Sequence, residues 1–251
     1  MTVEVPRGAG NGASPDATQH DRFNSRFQAG ARFVAQRGLL RPVVWRFLVT
    51  VTVRGQENVK DVNGAYVVVA NHSSHLDTPL IMGGLPRHMV RFLAAGAAAD
   101  YFFDIWWRRG LTALFFNAFP VQRTKGGIRS VSAKSLLLRG IPLLVFPEGT
   151  RSKDGTMGPF KPGAAALASS CAVPCIPVAI IGANIAHPRG TNWPKRGRLP
   201  VGVIIGDPMF PQKSENPVDF TERIKQEIIR LRDANSADIL GQRTSSKGAK
   251  K

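Results

Sequence analysis

Asn71-His72-Ser73-Ser74-His75-Leu76-Asp77 is the first stretch of this chain whose residue types could do chemistry. An imidazole takes a proton near neutral pH. A carboxylate that accepts a hydrogen bond from one ring nitrogen fixes the tautomer and leaves the other nitrogen as a base. His72 and Asp77 are five residues apart, which on one regular helix would place them on different faces. The flanking residues point elsewhere. Tyr66-Val67-Val68-Val69-Ala70 is an apolar run of the length of one buried strand. Thr78-Pro79-Leu80-Ile81-Met82 follows, with Pro79 suited to the first turn of a helix and Asp77 or Thr78 to its N-cap. His72 is therefore expected where a strand ends and Asp77 where a helix begins. Such a corner can turn the two side chains toward each other at the carboxyl edge of an α/β sheet, where these folds bind ligands. By itself the spacing is weak, because a capping Asp next to an incidental loop His reads the same way. His75 reads as solvent-facing or locally packed. No third and fourth ligand accompany His72 and His75, so no metal site is expected. Asn71-His72-Ser73 also fits a glycosylation sequon, but nothing marks the chain as secreted.

A second constellation lies downstream. An apolar strand over residues 141–146 delivers Phe146-Pro147-Glu148-Gly149-Thr150-Arg151-Ser152. Gly149 permits a close backbone approach. Arg151 offers a bidentate fork to a phosphate, and Thr150 a hydroxyl donor. Glu148 repels a phosphate but could orient Arg151 or accept from a substrate hydroxyl. Lys161, near the start of the next helix, reads as a solvated cation or a helper.

The elements that must position these residues alternate strand and helix. Further strands are expected over 48–54, 90–95, 118–121, 173–180 and 201–205. Helices are expected over 126–139, with Ile128, Val131 and Leu138 inward, over 164–170, and from Asn216-Pro217 onward, where Phe220, Ile224, Ile228 and Leu231 form a stripe. This alternation implies one α/β domain built on a mixed, mostly parallel sheet flanked by helices. Residues 1–20 read as a disordered tail, 21–48 as an amphipathic helical membrane-associating segment, 49–235 as the catalytic domain and 236–251 as a basic disordered tail. Between Arg22 and Arg54 there are seven Arg and no acidic residue, with Phe23, Phe27, Ala31 and Val34 at helical spacing. Gly38 and Pro42 are expected to split the segment into two helices. A basic helix with an aromatic apolar side suits a bilayer interface, and equally a helix packed on the domain with its arginines in water. The run Tyr101-Phe102-Phe103-Asp104-Ile105-Trp106-Trp107-Arg108-Arg109 has the same two readings.

The chain of 251 residues carries 34 basic against 17 acidic residues, a net charge of +17, with an ordinary 43% hydrophobic content. Such a surface seeks polyanions: nucleic acid, an anionic membrane or phosphorylated substrates. Cys171 and Cys175 are too few for a disulfide framework and read as reduced core thiols of a cytosolic compartment. The polar residues 1–20 lack an apolar signal region, and no apolar run reaches the roughly 18 residues of a spanning helix, so contact with a membrane is expected from one side.

Together the two constellations resemble the glycerolipid acyltransferases, the lysophosphatidic acid acyltransferase family. That family's Asn-His-x4-Asp motif is matched by Asn71, His72 and Asp77, and its Phe-Pro-Glu-Gly-Thr-Arg-Ser motif by residues 146–152 without a change. A motif ending in Arg after a short apolar strand is matched more loosely by Phe119-Pro120-Val121-Gln122-Arg123, and a Val-Pro-x-x-Pro strand by Val173-Pro174-Cys175-Ile176-Pro177. The resemblance implies transfer of a fatty acyl group from acyl-CoA or acyl carrier protein to the hydroxyl of lysophosphatidic acid, giving phosphatidic acid. His72 and Asp77 would be catalytic, and Arg123, Glu148, Gly149, Thr150 and Arg151 would bind substrate. The thioester is a co-substrate, and no cofactor or metal is implied. The expected partners are the two substrates and an anionic membrane surface rather than nucleic acid, with the protein peripheral or monotopic on the cytoplasmic face of the cell membrane. Glycerol 3-phosphate, another lysophospholipid or a glycolipid precursor are the competing acceptors. A basic module binding membrane or nucleic acid is the competing reading without catalysis.

Overall fold

A computed structural model describes residues 25, 30, 31, 34, 38, 41–98, 119–121 and 133–248. Its centre is strand β2 (Val67–Ala70), every residue of which is buried. β2 lies between β5 (Leu143–Val145) and β6 (Cys175–Ile181) and pairs parallel with both. A strand covered on both faces has no polar side to show, which is why it reads as a continuous valine run. Among the described residues the sheet has seven strands in the order β1-β7-β6-β2-β5-β3-β4. β1 is Val49–Arg54, β3 Ala94–Ala98, β4 Phe119–Val121 and β7 Leu199–Ile205. β3, β4, β5, β2 and β6 run one way, and β7 and β1 run the other, joined through the antiparallel β6–β7 pair.

Alternation along the strands divides the core into two layers. Val68, Ala70, Ile176, Val178 and Ile180 join Leu80, Ile81, Leu85 and Leu93 on one face. Those partners come from α1 (Asp77–Gly84), the single turn α2 (Arg87–Val90) and the residues around them. Val67, Val69, Ala179 and Ile181 join Leu136, Ala164, Ala168, Phe220, Ile224 and Ile228 on the other. These come from α3 (Ala133–Leu138), α4 (Gly163–Cys171) and, beyond the turn α5 (Ala183–Ala186), the long α6 (Pro217–Gly248). The expected α/β fold, a mixed, mostly parallel sheet flanked by helices, is therefore present.

Several local expectations change. Val90 lies in the turn α2, and the strand starts only at Ala94. Leu136 and Leu137 are buried while Leu138 is 66% exposed, so the α3 stripe is shifted from the expected phase. The preceding Ile128 and Val131 lie outside the described residues. The C-terminal helix runs to Gly248 instead of giving way to a tail at 236. Ile239 is buried in the second layer, and Arg54 at the end of β1 bonds Asn235 and pairs with Asp238. These polar residues are paired across the fold, which composition does not register. Pro42, with φ −57° and ψ −43°, is the N-cap of a π-helical stretch, Val43–Leu48, at whose end Val49 N–H donates to Val44 O five residues back. The ring of Trp45 sits against Gly83 of α1, where a Cβ would approach its Nε1 to 2.9 Å, and the Arg41 guanidinium stacks on it at 4.5 Å. Most of residues 1–40 and the aromatic run 101–109 lie outside the described residues. Among the described residues, no helix is long and apolar enough to cross a membrane.

Candidate active site

Because β2, β5 and β6 are parallel, the chain leaves all three at one edge of the sheet, and the segments after them converge. Asn71 ties two of them together: its Nδ2 donates to Ile180 O at 3.0 Å and its Oδ1 accepts from Ile180 N–H at 2.7 Å. The amide thus extends the β2–β6 ladder by one side chain, and His72 follows at a fixed height.

The expected corner is present. Asp77 is the first residue of α1 and is fully buried. Neither it nor Thr78 is the N-cap; that position is Leu76, without a side-chain cap bond. The Asp77 carboxylate turns back instead. Its Oδ2 accepts from Ser73 N–H at 2.6 Å, from Ser74 N–H at 2.8 Å and from His72 Nδ1 at 2.8 Å. A carboxylate only accepts, so the ring nitrogen facing it carries the proton and Nε2 keeps its lone pair. The imidazole is 21% exposed and stacks on Phe146 at 4.1 Å between centroids, 19° from parallel. One face of the ring is thus covered while the side chain keeps part of its exposure.

The second constellation meets the first through its backbone. Ser152 N–H donates to His72 O at 2.8 Å, and Glu148 Oε1 accepts from His72 N–H at 2.7 Å. The other carboxylate oxygen of Glu148 accepts from Gly158 N–H at 3.0 Å. The charge of Glu148 is thus aimed at two main-chain donors, a geometry that positions His72. Gly149 has φ +72°, a left-handed conformation natural to glycine, and a Cβ there would lie 3.3 Å from Lys161 Nζ. Thr150 is exposed on the same turn. Arg151 is half-buried, and its carbonyl accepts from Arg189 Nη1 at 2.9 Å.

The segment after β6 closes a third side. Ser74 Oγ donates to His187 O at 3.0 Å, and the rings of His75 and His187 lie 5.9 Å apart. His75 is pushed down to about 4, first by partial desolvation and then by the charges of Arg151, His187 and His72, with Asp77 opposing. His75 is exposed, the solvent-facing one of its two readings, and is neutral near pH 7. Of the expected residues, His72, Asp77, Glu148, Gly149, Thr150 and Arg151 come together at this edge. β4 runs the same way and ends here at Val121, while Arg123 lies outside the described residues. The roles of Asn71, Phe146 and Gly158 were not legible, because each depends on a partner distant in sequence. Among the described residues there is no cluster of metal-ligating side chains.

The chain is similar to known acyltransferases. A family model described as Acyltransferase matches residues 50–181. The chain is 33% identical over 217 residues to 1-acyl-sn-glycerol-3-phosphate acyltransferase alpha of Homo sapiens, covering 82% of this chain and 71% of that protein. The protein of the same name from Ovis aries is 28% identical over 214 residues, covering 82% and 70%. The crystal structure of the 1-acyl-sn-glycerophosphate (LPA) acyltransferase PlsC from Thermotoga maritima superposes with a TM-score of 0.60. It has 23% identity and covers 89% of this chain and 84% of that one, a likeness of fold.

Proposed function

The chain belongs to the Acyltransferase family, and we propose that it moves a fatty acyl group from an acyl thioester to the free hydroxyl of lysophosphatidic acid, giving phosphatidic acid. The observation that carries this reading is the buried Asp77 holding His72 by Nδ1 at the sheet edge that also bears Arg151. An alcohol attacks a thioester poorly until a base takes its proton. Nε2 of His72 accepts that proton as the hydroxyl oxygen attacks the thioester carbonyl, and Asp77 stabilises the imidazolium that forms. The tetrahedral intermediate collapses by breaking the C–S bond, and the imidazolium returns the proton to the departing thiolate. A positioned base contributes on the order of 10²–10⁴ in rate. Direct attack requires no acyl-enzyme and no resident cofactor. Arg151, with Arg123 as a second proposed contact, clamps the acceptor's phosphate and so turns its hydroxyl toward His72. The turn at Gly149 and Thr150 brings main chain and a hydroxyl to the same anion. Glu148 acts by holding the His72 backbone.

The acceptor's phosphate is favoured by Arg151 and by the net charge of +17. The arginine-rich segment, with Val34 and Phe47 each 67% exposed, supports a peripheral or monotopic place on the cytoplasmic face of the cell membrane. The test is to incubate the purified full chain with labelled palmitoyl-CoA or palmitoyl-acyl carrier protein and, in turn, lysophosphatidic acid, lysophosphatidylcholine and glycerol 3-phosphate. Phosphatidic acid is the expected product. Transfer only to another acceptor overturns the substrate, and no transfer to any overturns the reading. Intact-mass analysis with palmitoyl-CoA alone is expected to show no acyl adduct on the protein.

A further inference from the structure

The connection from β6 to β7 has a composition that proton transfer and phosphate binding leave unused. Residues 187–198 hold Arg189, Lys195, Arg196 and Arg198, no acidic residue, and Trp193, which is 79% exposed. The loop is pinned where it leaves the sheet and where it returns. His187 O accepts from Ser74 Oγ, Lys195 N–H donates to Ala186 O at 2.7 Å, and Arg198 O accepts from Thr50 Oγ1 at 3.1 Å. Arg198 Nη2 also donates to Trp45 O at 3.2 Å, which joins the loop to the helix Val43–Leu48. That helix and the residues before it bring Arg41, Arg46, an exposed Val43 and an exposed Phe47, again without an acidic residue between 41 and 48. Topology sets both segments on the catalytic side. β7 is antiparallel to β6 and β1 is parallel to β7, so β7 and β1 begin at the edge where β2 ends, two residues before His72.

Two segments about 150 residues apart in sequence thus meet at one bond, and each combines cations with a large apolar side chain held out of the core. Trp, with an apolar body and a polar N–H, and Arg or Lys, with apolar stems, are the side chains that settle at a bilayer–water interface. We infer that residues 187–198 and 41–48 together form a docking surface for an anionic lipid bilayer, with Trp193 and Phe47 entering the interface and the cations meeting the headgroup charge. Docked this way, the edge bearing His72 faces the layer in which a lysolipid acceptor resides. In that respect the inference rests on the proposed lipid substrate. The charges alone would suit any polyanion, but the exposed Val43 and Phe47 beside them favour a surface with an apolar interior.

Co-sedimentation of the full chain with vesicles of phosphatidylcholine alone, or with added phosphatidylglycerol, tests the surface. The parent protein is expected to partition more strongly onto the anionic vesicles. Lys195→Gln/Arg196→Gln should weaken that partition about thirtyfold at low ionic strength, since each basic side chain near such a surface contributes about fivefold. Trp193→Ala should weaken binding to both kinds of vesicle by about tenfold or more, from the apolar area it removes. Circular dichroism, the melting curve and turnover on a water-soluble short-chain lysophosphatidic acid should match the parent. Folded variants that bind vesicles like the parent, or a parent that binds none, overturn the surface. So does a loss of oligonucleotide binding without a loss of vesicle binding. Loss of vesicle binding in the variants, with no acyl transfer by the parent to any acceptor, leaves the surface standing and removes the proposed function instead.

Discussion

The corner after β2 and the turn after β5 lie side by side, yet they are built on opposite plans. In the corner the decisive group is buried: Asp77 has no exposure, and three N–H donors converge on one of its oxygens. In the turn the residues assigned to the substrate, Gly149, Thr150 and Arg151, are partly or fully exposed, and Glu148 connects the turn to the corner through main chain. A proton relay works over tenths of an ångström and needs a fixed, dry partner. A charged headgroup must enter from water and leave again, so the cations that meet it stay accessible. One region is rigid because its chemistry is local, and the other is open because its ligand is mobile.

That contrast can be broken by five measurements. His72→Ala should lower kcat by about 10²–10⁴ or more while leaving the melting temperature nearly unchanged, because the imidazole is partly exposed; near-normal turnover would remove the base. Asp77→Asn should come next, at about 10²–10³ in kcat by steady-state assay, since the amide can still accept from the Ser73 and Ser74 N–H groups but no longer stabilises the imidazolium. Arg151→Ala should act differently, raising KM for a phosphate-bearing acceptor about ten- to hundredfold with kcat little changed, the worth of a charge-assisted hydrogen bond. If kcat falls instead and KM holds, the turn belongs to the reacting centre.

Glu148→Gln sharpens the connection between the two regions. One backbone N–H, of His72 or Gly158, would then face an amide NH₂, which should cost about 1–3 kcal/mol in denaturant unfolding and lower kcat moderately. A variant as stable as the parent would mean that this carboxylate does not hold the corner. The smallest effect belongs to His75. Its pKa falls from the ordinary 6.5 to about 4 on folding. Between those values the unfolded chain binds a proton that the folded protein refuses, so stability declines as pH drops from about 6.5 toward 4. His75→Asn should flatten that acid-side decline in melting temperature; an unchanged slope would assign the decline to other groups.

The corner was legible in sequence because its parts are local. An apolar run ended, a proline opened a helix, and the His and Asp lay between them. The cap assignment failed because Asp77 found stronger partners in His72 and the Ser73 and Ser74 N–H groups than a helix terminus offers. The inward phase of α3 was misplaced because Leu136, Leu137 and Leu138 are equally apolar, and only packing against α4 and the sheet chooses among them. The helix past 236 was missed because its apolar residues there are few, and the polar Asn235 and Asp238 find their partner, Arg54, on the first strand.

Strand and helix order, the residue types of the site and the excess of basic charge follow from the chain read in one dimension, since hydrophobic period and local turn chemistry act between near neighbours. Which nitrogen of His72 is left to take a proton, what the Glu148 carboxylate holds and which basic segments share an edge were decided by tertiary structure. The first depends on how the corner folds Asp77 back onto one ring nitrogen, and the other two on strand order and direction, which bring together groups from 76 to more than 150 residues apart.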